Sequence, residues 1–134
     1  MKKYCLYLDD VRIPPLYYFN QEIVDWIVVR DYKQFVEMIE SKFQFEDSFP
    51  SLISFDHDLT DAHYVPEMYD SIEQYNKVAV NFIEKTGLDC AKWLIEFVLE
   101  HNVEMPKITI HSMNPVGRQR IQNIFDDYYK LIQK

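Results

Sequence analysis

Glycine is nearly missing from this chain, with 2 residues in 134. That excludes collagen-like repeats, flexible glycine linkers and glycine-rich loops that wrap a phosphate. Cysteine is as scarce. Cys5 and Cys90 have no metal-ligand spacing and read as two reduced, buried thiols. No apolar run approaches the roughly 20 residues a membrane span needs, and Tyr4–Leu8 is too short for the apolar core of a secretion signal. Met1-Lys2-Lys3 leads straight into a strand, so the expected location is the cytoplasm of a cell or of an infected cell. Positive charge is short too: 14 Lys and Arg against 22 Asp and Glu, a net charge of −8. That balance disfavours a broad footprint on DNA or RNA. A small nucleotide stays possible, because one metal ion inverts a local field.

What the chain does have is apolar patterning. Hydrophobic residues make up 48%, a globular value, and the length predicts one domain over residues 1–134 that needs no staples. Tyr4–Leu8, Val24–Val29, Leu52–Phe55 and Lys107–Ile110 read as strands. Phe49-Pro50 and Pro106 are punctuation, and Pro14-Pro15 forbids a helix directly after the first strand. Asp31 is placed to cap a helix carrying Phe35, Val36 and Ile39 on one face. Gly87–Asn102 is an amphipathic helix, and another runs from Val116 to the end with Ile121, Ile124, Phe125, Tyr128 and Leu131 inward. Residues 60–86 form an insert or lid. It is partly helical, because Ile72, Tyr75, Val78, Ala79, Phe82 and Ile83 follow helical spacing. Strands alternating with helices predict an α/β fold, an open parallel sheet of about four strands covered on both faces.

Three of the strands end in polar residues: Leu8 in Asp9-Asp10, Phe55 in Asp56-His57-Asp58, Ile110 in His111-Ser112. In a parallel sheet these ends share one edge, where ligands of open α/β sheets bind. Asp9, Asp10, Asp56 and Asp58 then crowd together. Like charges so close raise one another's pKa unless a cation sits among them, and hard carboxylates select Mg²⁺, Mn²⁺ or Ca²⁺ over Zn²⁺. The plainer alternative is that each Asp caps a turn or helix. His57 and His111 reach the same edge and suit proton transfer, whereas His63 and His101 read as structural. Asn114-Pro115-Val116-Gly117-Arg118 is either a simple helix cap or a phosphate seat, and the two are compatible. Ser112 and Arg12 are further candidates to touch an anion, with a solvated Arg12 the alternative. Asp89 reads as a helix cap, and Trp93 as core rather than a base-stacking platform.

These blocks resemble a family. Leu8-Asp9-Asp10-Val11-Arg12-Ile13-Pro14, Ser54-Phe55-Asp56-His57-Asp58-Leu59, Thr86-Gly87-Leu88-Asp89 with Trp93-Leu94, and His111-Ser112-Met113-Asn114-Pro115-Val116-Gly117 resemble the cyclic-phosphate-processing receiver-like domain, a diverged relative of the response-regulator receiver. The resemblance implies a flavodoxin-like or receiver-like sheet. It implies that Asp9 and Asp10 match the acidic metal pair, Asp56 the phospho-accepting aspartate, and Ser112 the switch hydroxyl. Asp58 falls where receivers use a backbone carbonyl for metal. The receiver's fifth strand and its lysine have no counterpart, while His57, Asp58 and His111 are additions.

Three functions follow as expectations. The first is a metal-dependent phosphoesterase for a cyclic phosphate or cyclic nucleotide. Mg²⁺ or Mn²⁺ would sit on Asp9, Asp10 and Asp56 or Asp58. His57 and His111 would be base and acid, or Asp56 the nucleophile, with Arg12, Ser112, Asn114, Gly117 and Arg118 on the substrate. The second is a non-catalytic nucleotide binder or protein-interaction module, motivated by Tyr64, Tyr69 and Tyr75 in the insert. The third is a phospho-accepting receiver. The partner expected is a small phosphorylated or cyclic nucleotide, with no long nucleic acid and no membrane. Oligomeric state is left open.

Overall fold

The computed structural model describes residues 1–133 other than 17, 20, 61, 62, 64, 81 and 83, with backbone alone at 18 and 19. Tyr64 and Ile83 of the predicted insert therefore lie outside the described residues. Four parallel strands form the main sheet: β1 (Lys2–Leu8), β4 (Trp26–Val29), β5 (Ser48–Phe55) and β6 (Lys107–Ile110). Their order is β4-β1-β5-β6. The chain leaves β1 for one side and returns through β5 on the other, so the topological switch point, where such folds bind ligands, falls between β1 and β5.

The central strands are apolar because a parallel sheet buries them. Leu6, Leu8, Ile53 and Phe55 are all fully buried. β5 begins earlier than predicted and includes Pro50. A proline survives in a central strand here because the β1–β5 register shifts at Tyr4/Cys5, which interrupts the ladder beside it. The predicted strand over residues 24–29 shortens to β4, and a small hairpin, β2 (Tyr18–Phe19) with β3 (Glu22–Ile23), precedes it.

Three long helices pack on one face. In α1 (Tyr32–Glu46), the Asp31 side chain accepts from the Gln34 N–H as predicted, and Phe35 meets Phe55. α3 (Gly87–His101) brings Trp93 against Phe35 and Phe97, in the core. α4 (Pro115–Ile132) brings Phe125 to Phe55. Coverage of both faces was the expectation, but these three helices share the Phe55 face. The physical reason is the β1–β4 link. A helix there would cover the other face, but Pro14-Pro15 and the hairpin take its place. That other face carries Tyr7 and Ser54 side by side.

The insert is anchored in the core. A 3₁₀ turn, Pro66–Tyr69, and α2 (Ile72–Ala79) contribute Met68 and Tyr75, both buried in the main cluster. His63 ties the insert's two ends together. The Leu59 N–H donates to its Nδ1, so Nε2 carries the proton and donates to the Glu84 carbonyl at 2.9 Å. Cys5 and Cys90 form no disulfide. No helix among the described residues is long and apolar enough to cross a membrane.

Candidate metal centre

Backbone hydrogen bonds continue one residue past the strands. The Asp9 N–H donates to Val29 O, the Asp56 N–H to Leu8 O, and the His111 N–H to Phe55 O. The register pairs Leu8 with Phe55 and Phe55 with Ile110, so the next residues, Asp9, Asp56 and His111, stand side by side. One ligand atom from each lies within 4.8 Å of the other two.

Asp9 is fully buried. Its Oδ1 accepts from the Val11 and Arg12 amides at 3.0 and 2.8 Å. Its Oδ2 lies 3.0 Å from His111 Nε2 and 3.5 Å from Arg12 Nη1. Burial pushes its pKa up, but the Arg12 and Val11 amides, His111 and the Arg12 guanidinium outweigh burial and hold it below the ordinary value. His111 is pushed down by burial despite Asp9, so near neutral pH it offers a neutral imidazole, the form that binds a metal. Its ring stacks on Tyr7 at 4.4 Å, and Ser54 Oγ sits 2.7 Å from Nδ1. A hydroxyl can donate or accept there, so Ser54 serves either tautomer.

Asp56 is the unsatisfied member. Oδ1 accepts the His57 N–H at 2.8 Å. Oδ2 is buried and has no hydrogen-bond partner among the described residues. Burial first, then the Asp9 charge, pushes this carboxyl up to about 7. A carboxylate with a buried, partnerless oxygen, grouped with a second carboxylate and a neutral imidazole, is the geometry a cation would relieve. The residues therefore fit a divalent metal: two carboxylates suit Mg²⁺ or Mn²⁺, and the imidazole is compatible with a borderline transition metal such as Mn²⁺.

Other predicted residues stand elsewhere. Asp10, half-buried, and Asp58 are outside the group of three. Asp58 and His57 form a second, sealed network. His57 Nδ1 lies 2.6 Å from Asp58 Oδ1 and its Nε2 2.6 Å from the Tyr75 hydroxyl. The Tyr69 hydroxyl donates to Asp58 Oδ2 at 3.1 Å, and Asn114 Nδ2 approaches Oδ1 at 3.4 Å. His57, expected as base or acid on a phosphate, is fully buried with both ring nitrogens engaged by Asp58 and Tyr75. It buttresses the Asp56 loop.

The start of α4 is a capped helix N-terminus. Asn114 Oδ1 accepts the Gly117 N–H, and Ser112 Oγ accepts the Asn114 N–H. The Gly117 and Arg118 N–H groups are thus spent on Asn114, and the Arg118 side chain is exposed. Arg12 does stand at the centre, its Nη1 donating to His111 O at 3.1 Å.

Both glycines of the chain brace this region. A Cβ on Gly87 would lie 1.8 Å from the Asp56 carbonyl oxygen, and one on Gly117 2.6 Å from His57 Cγ. Gly87 also donates its N–H to His57 O at 2.7 Å. Asp89 caps α3 as predicted, accepting the Thr86 N–H at 2.8 Å.

Arg30 escaped the sequence reading. Its Nη1 donates to Asp9 O and Arg12 O at 3.1 and 2.8 Å, locking the loop after β1. The signal was present, since Arg30 directly follows β4 just as Asp9 follows β1. Ser54, one residue inside β5, gave no comparable signal.

Residues 4–127 match the family described as the cyclic-phosphate processing receiver domain. The chain belongs to that family. No curated protein and no solved structure matches it significantly. The four-stranded parallel sheet is accordingly a receiver-like α/β fold. Within this cyclic-phosphate processing receiver domain, the acidic group at the strand ends is a buried Asp/Asp/His set that could hold a metal ion.

Proposed function

We propose that this receiver domain is a metal-dependent phosphoesterase that opens a cyclic phosphate, with a cyclic nucleotide as the ligand class. The observation that carries the reading is the buried, partnerless Asp56 Oδ2 beside Asp9 and His111. Asp9, Asp56 and His111 would hold Mg²⁺ or Mn²⁺. When bound, such an ion supplies Lewis-acid polarisation of a phosphoryl oxygen and a lowered pKa for a bound water.

The chain's own groups do the rest. Arg12, tied to His111 O and beside Asp9 Oδ2, brings positive charge to an anionic ligand at an otherwise acidic edge. Ser54 and Tyr7 fix the His111 ring. The reaction adds water across one P–O bond of the ring and leaves a phosphate monoester and a free hydroxyl.

Incubating the protein with cyclic mononucleotides and Mn²⁺ or Mg²⁺, and separating the products by chromatography, tests this. Monoester formed by the wild type and absent from Asp9→Asn supports it. Absence of turnover by the wild type under these conditions sinks it. One observation favours a second reading, a non-catalytic nucleotide binder: sealing His57 leaves His111 as the one imidazole at the site. Calorimetric binding with the nucleotide recovered intact selects that reading.

A further inference from the structure

On the α2–α3–α4 side of the molecule lies a cavity of about 440 Å³ that the reading above does not use. Its size falls in the range of small-molecule sites, roughly 300–1,000 Å³. Ala79, Phe82 and Leu88 give it an apolar wall, and three cations, Lys85, Lys92 and Arg120, also line it. Acids outnumber bases 22 to 14, and three helical lysines elsewhere pair with glutamates: Lys33–Glu37, Lys42–Glu46 and Lys77–Glu73. Lys85, Lys92 and Arg120 form no ion pair among the described residues. Two acids reach the same cavity, Glu84 and Asp89, but Asp89 is held by the Thr86 N–H and hydroxyl. The formal local charge is +1 in a chain of −8.

Two of the cations rest on aromatic faces. The Arg120 guanidinium lies 5.7 Å from the Tyr75 ring centroid and the Lys85 ammonium 5.3 Å from that of Tyr32. A ring face positions a cation without neutralising it, so the charge is available to a ligand.

We propose that this cavity is a second binding site, for a small organic anion with an apolar body: the head group meets Lys85, Lys92 and Arg120, and the body packs on Phe82 and Leu88. Tyr75 connects it to the metal centre. Its ring carries Arg120 and its hydroxyl meets His57, which buttresses the Asp56 loop.

Calorimetric titration of the full chain with 1-naphthalenesulfonate, which has no phosphoester to hydrolyse, tests the site. Saturable one-to-one binding is expected. Arg120→Gln and Lys85→Gln should each weaken it roughly tenfold, about 1.4 kcal/mol, and Asp9→Asn should leave it unchanged. Lys92 is exposed, so Lys92→Gln keeps the test open if another variant melts, and it should also weaken binding. No saturation up to millimolar probe, equal binding of uncharged 2-naphthol, or loss in Asp9→Asn with Arg120→Gln unaffected would each overturn the proposal.

Discussion

Two aspartate–histidine pairs stand at the same sheet edge and have opposite fates. Asp58–His57 is closed: 2.6 Å apart, fully buried, with Tyr75, Tyr69 and Asn114 occupying the remaining polar atoms. Asp9–His111 is open: 3.0 Å apart, the imidazole side chain 20% exposed, with the partnerless Asp56 oxygen beside it. Residue type is the same in both. A polar pair whose bonds are all made rigidifies a fold, whereas one that leaves a buried oxygen unmade keeps chemical capacity.

The largest effect should separate the pairs directly. Asp9→Asn and Asp56→Asn are expected to cut turnover of a cyclic nucleotide roughly a thousandfold. Asp58→Asn should cost stability and leave turnover within about tenfold. Equal losses in a folded Asp58 variant, read from initial rates and a thermal melt, would erase the distinction.

Next comes the brace shared by both pairs. Gly87→Ala forces a methyl onto the Asp56 carbonyl oxygen, and backbone cannot step aside as a side-chain end can. A loss of more than about 3 kcal/mol in urea unfolding is expected. A near-neutral result would mean that the close packing of α3 on the Asp56 loop does not hold in solution.

A titration sharpens the open side. The folded-state pKa of Asp56, about 7, lies above its ordinary 3.8, so folded protein binds this proton more tightly than unfolded chain does. The associated stability is intact below about pH 4 and lost as pH rises through 7, on the order of 4 kcal/mol in metal-free protein. His63 and His111, both shifted down, contribute in the opposite sense, since their folded forms resist protonation as pH falls through 6.5. Asp9, also shifted down, loses its contribution only as pH falls below the carboxylate range. The wild-type minus Asp56→Asn difference in melting temperature isolates Asp56. It should grow more negative from pH 5 to 8 and be reversed by Mn²⁺.

The open pair was largely legible in the sequence and the closed one was not. Asp9, Asp56 and His111 each follow an apolar strand, and parallel strands in register bring such residues together whatever else the chain does. His57 also follows that rule by position. What sealed it came from Tyr75 in the insert, whose fold depends on tertiary packing, and from Gly117, whose value is the absence of a side chain against the imidazole. Neither leaves a local signature. That no helix stands among the described residues of the β1–β4 link was foreshadowed by Pro14-Pro15, but its consequence, long helices on one face, needed the topology.

The closed side has its own, smaller test. Tyr75→Phe removes the hydroxyl facing His57 Nε2 and leaves a buried ring nitrogen unpaired, a cost of about 1–3 kcal/mol. Turnover should stay within about twofold, measured at a temperature where the variant is folded. A large fall in turnover with an unchanged melt would move the sealed network into the chemistry.

The smallest expected effect concerns two arginines that the sequence placed on one ligand. Arg12 is tied to His111 O and lies 3.5 Å from Asp9. Arg118 is exposed, and its backbone N–H is spent on Asn114 O inside the helix cap. An exposed arginine with no ion pair among the described residues contributes little, so Arg118→Gln should change stability by less than about 0.5 kcal/mol and leave the KM for a cyclic nucleotide unaltered. The KM is the sensitive readout, because a phosphate contact made equally in ground and transition state appears there first. A tenfold rise in KM would mean that the start of α4 does receive an anion despite the Asn114 and Ser112 bonds, and the closed side of the edge would then be open too.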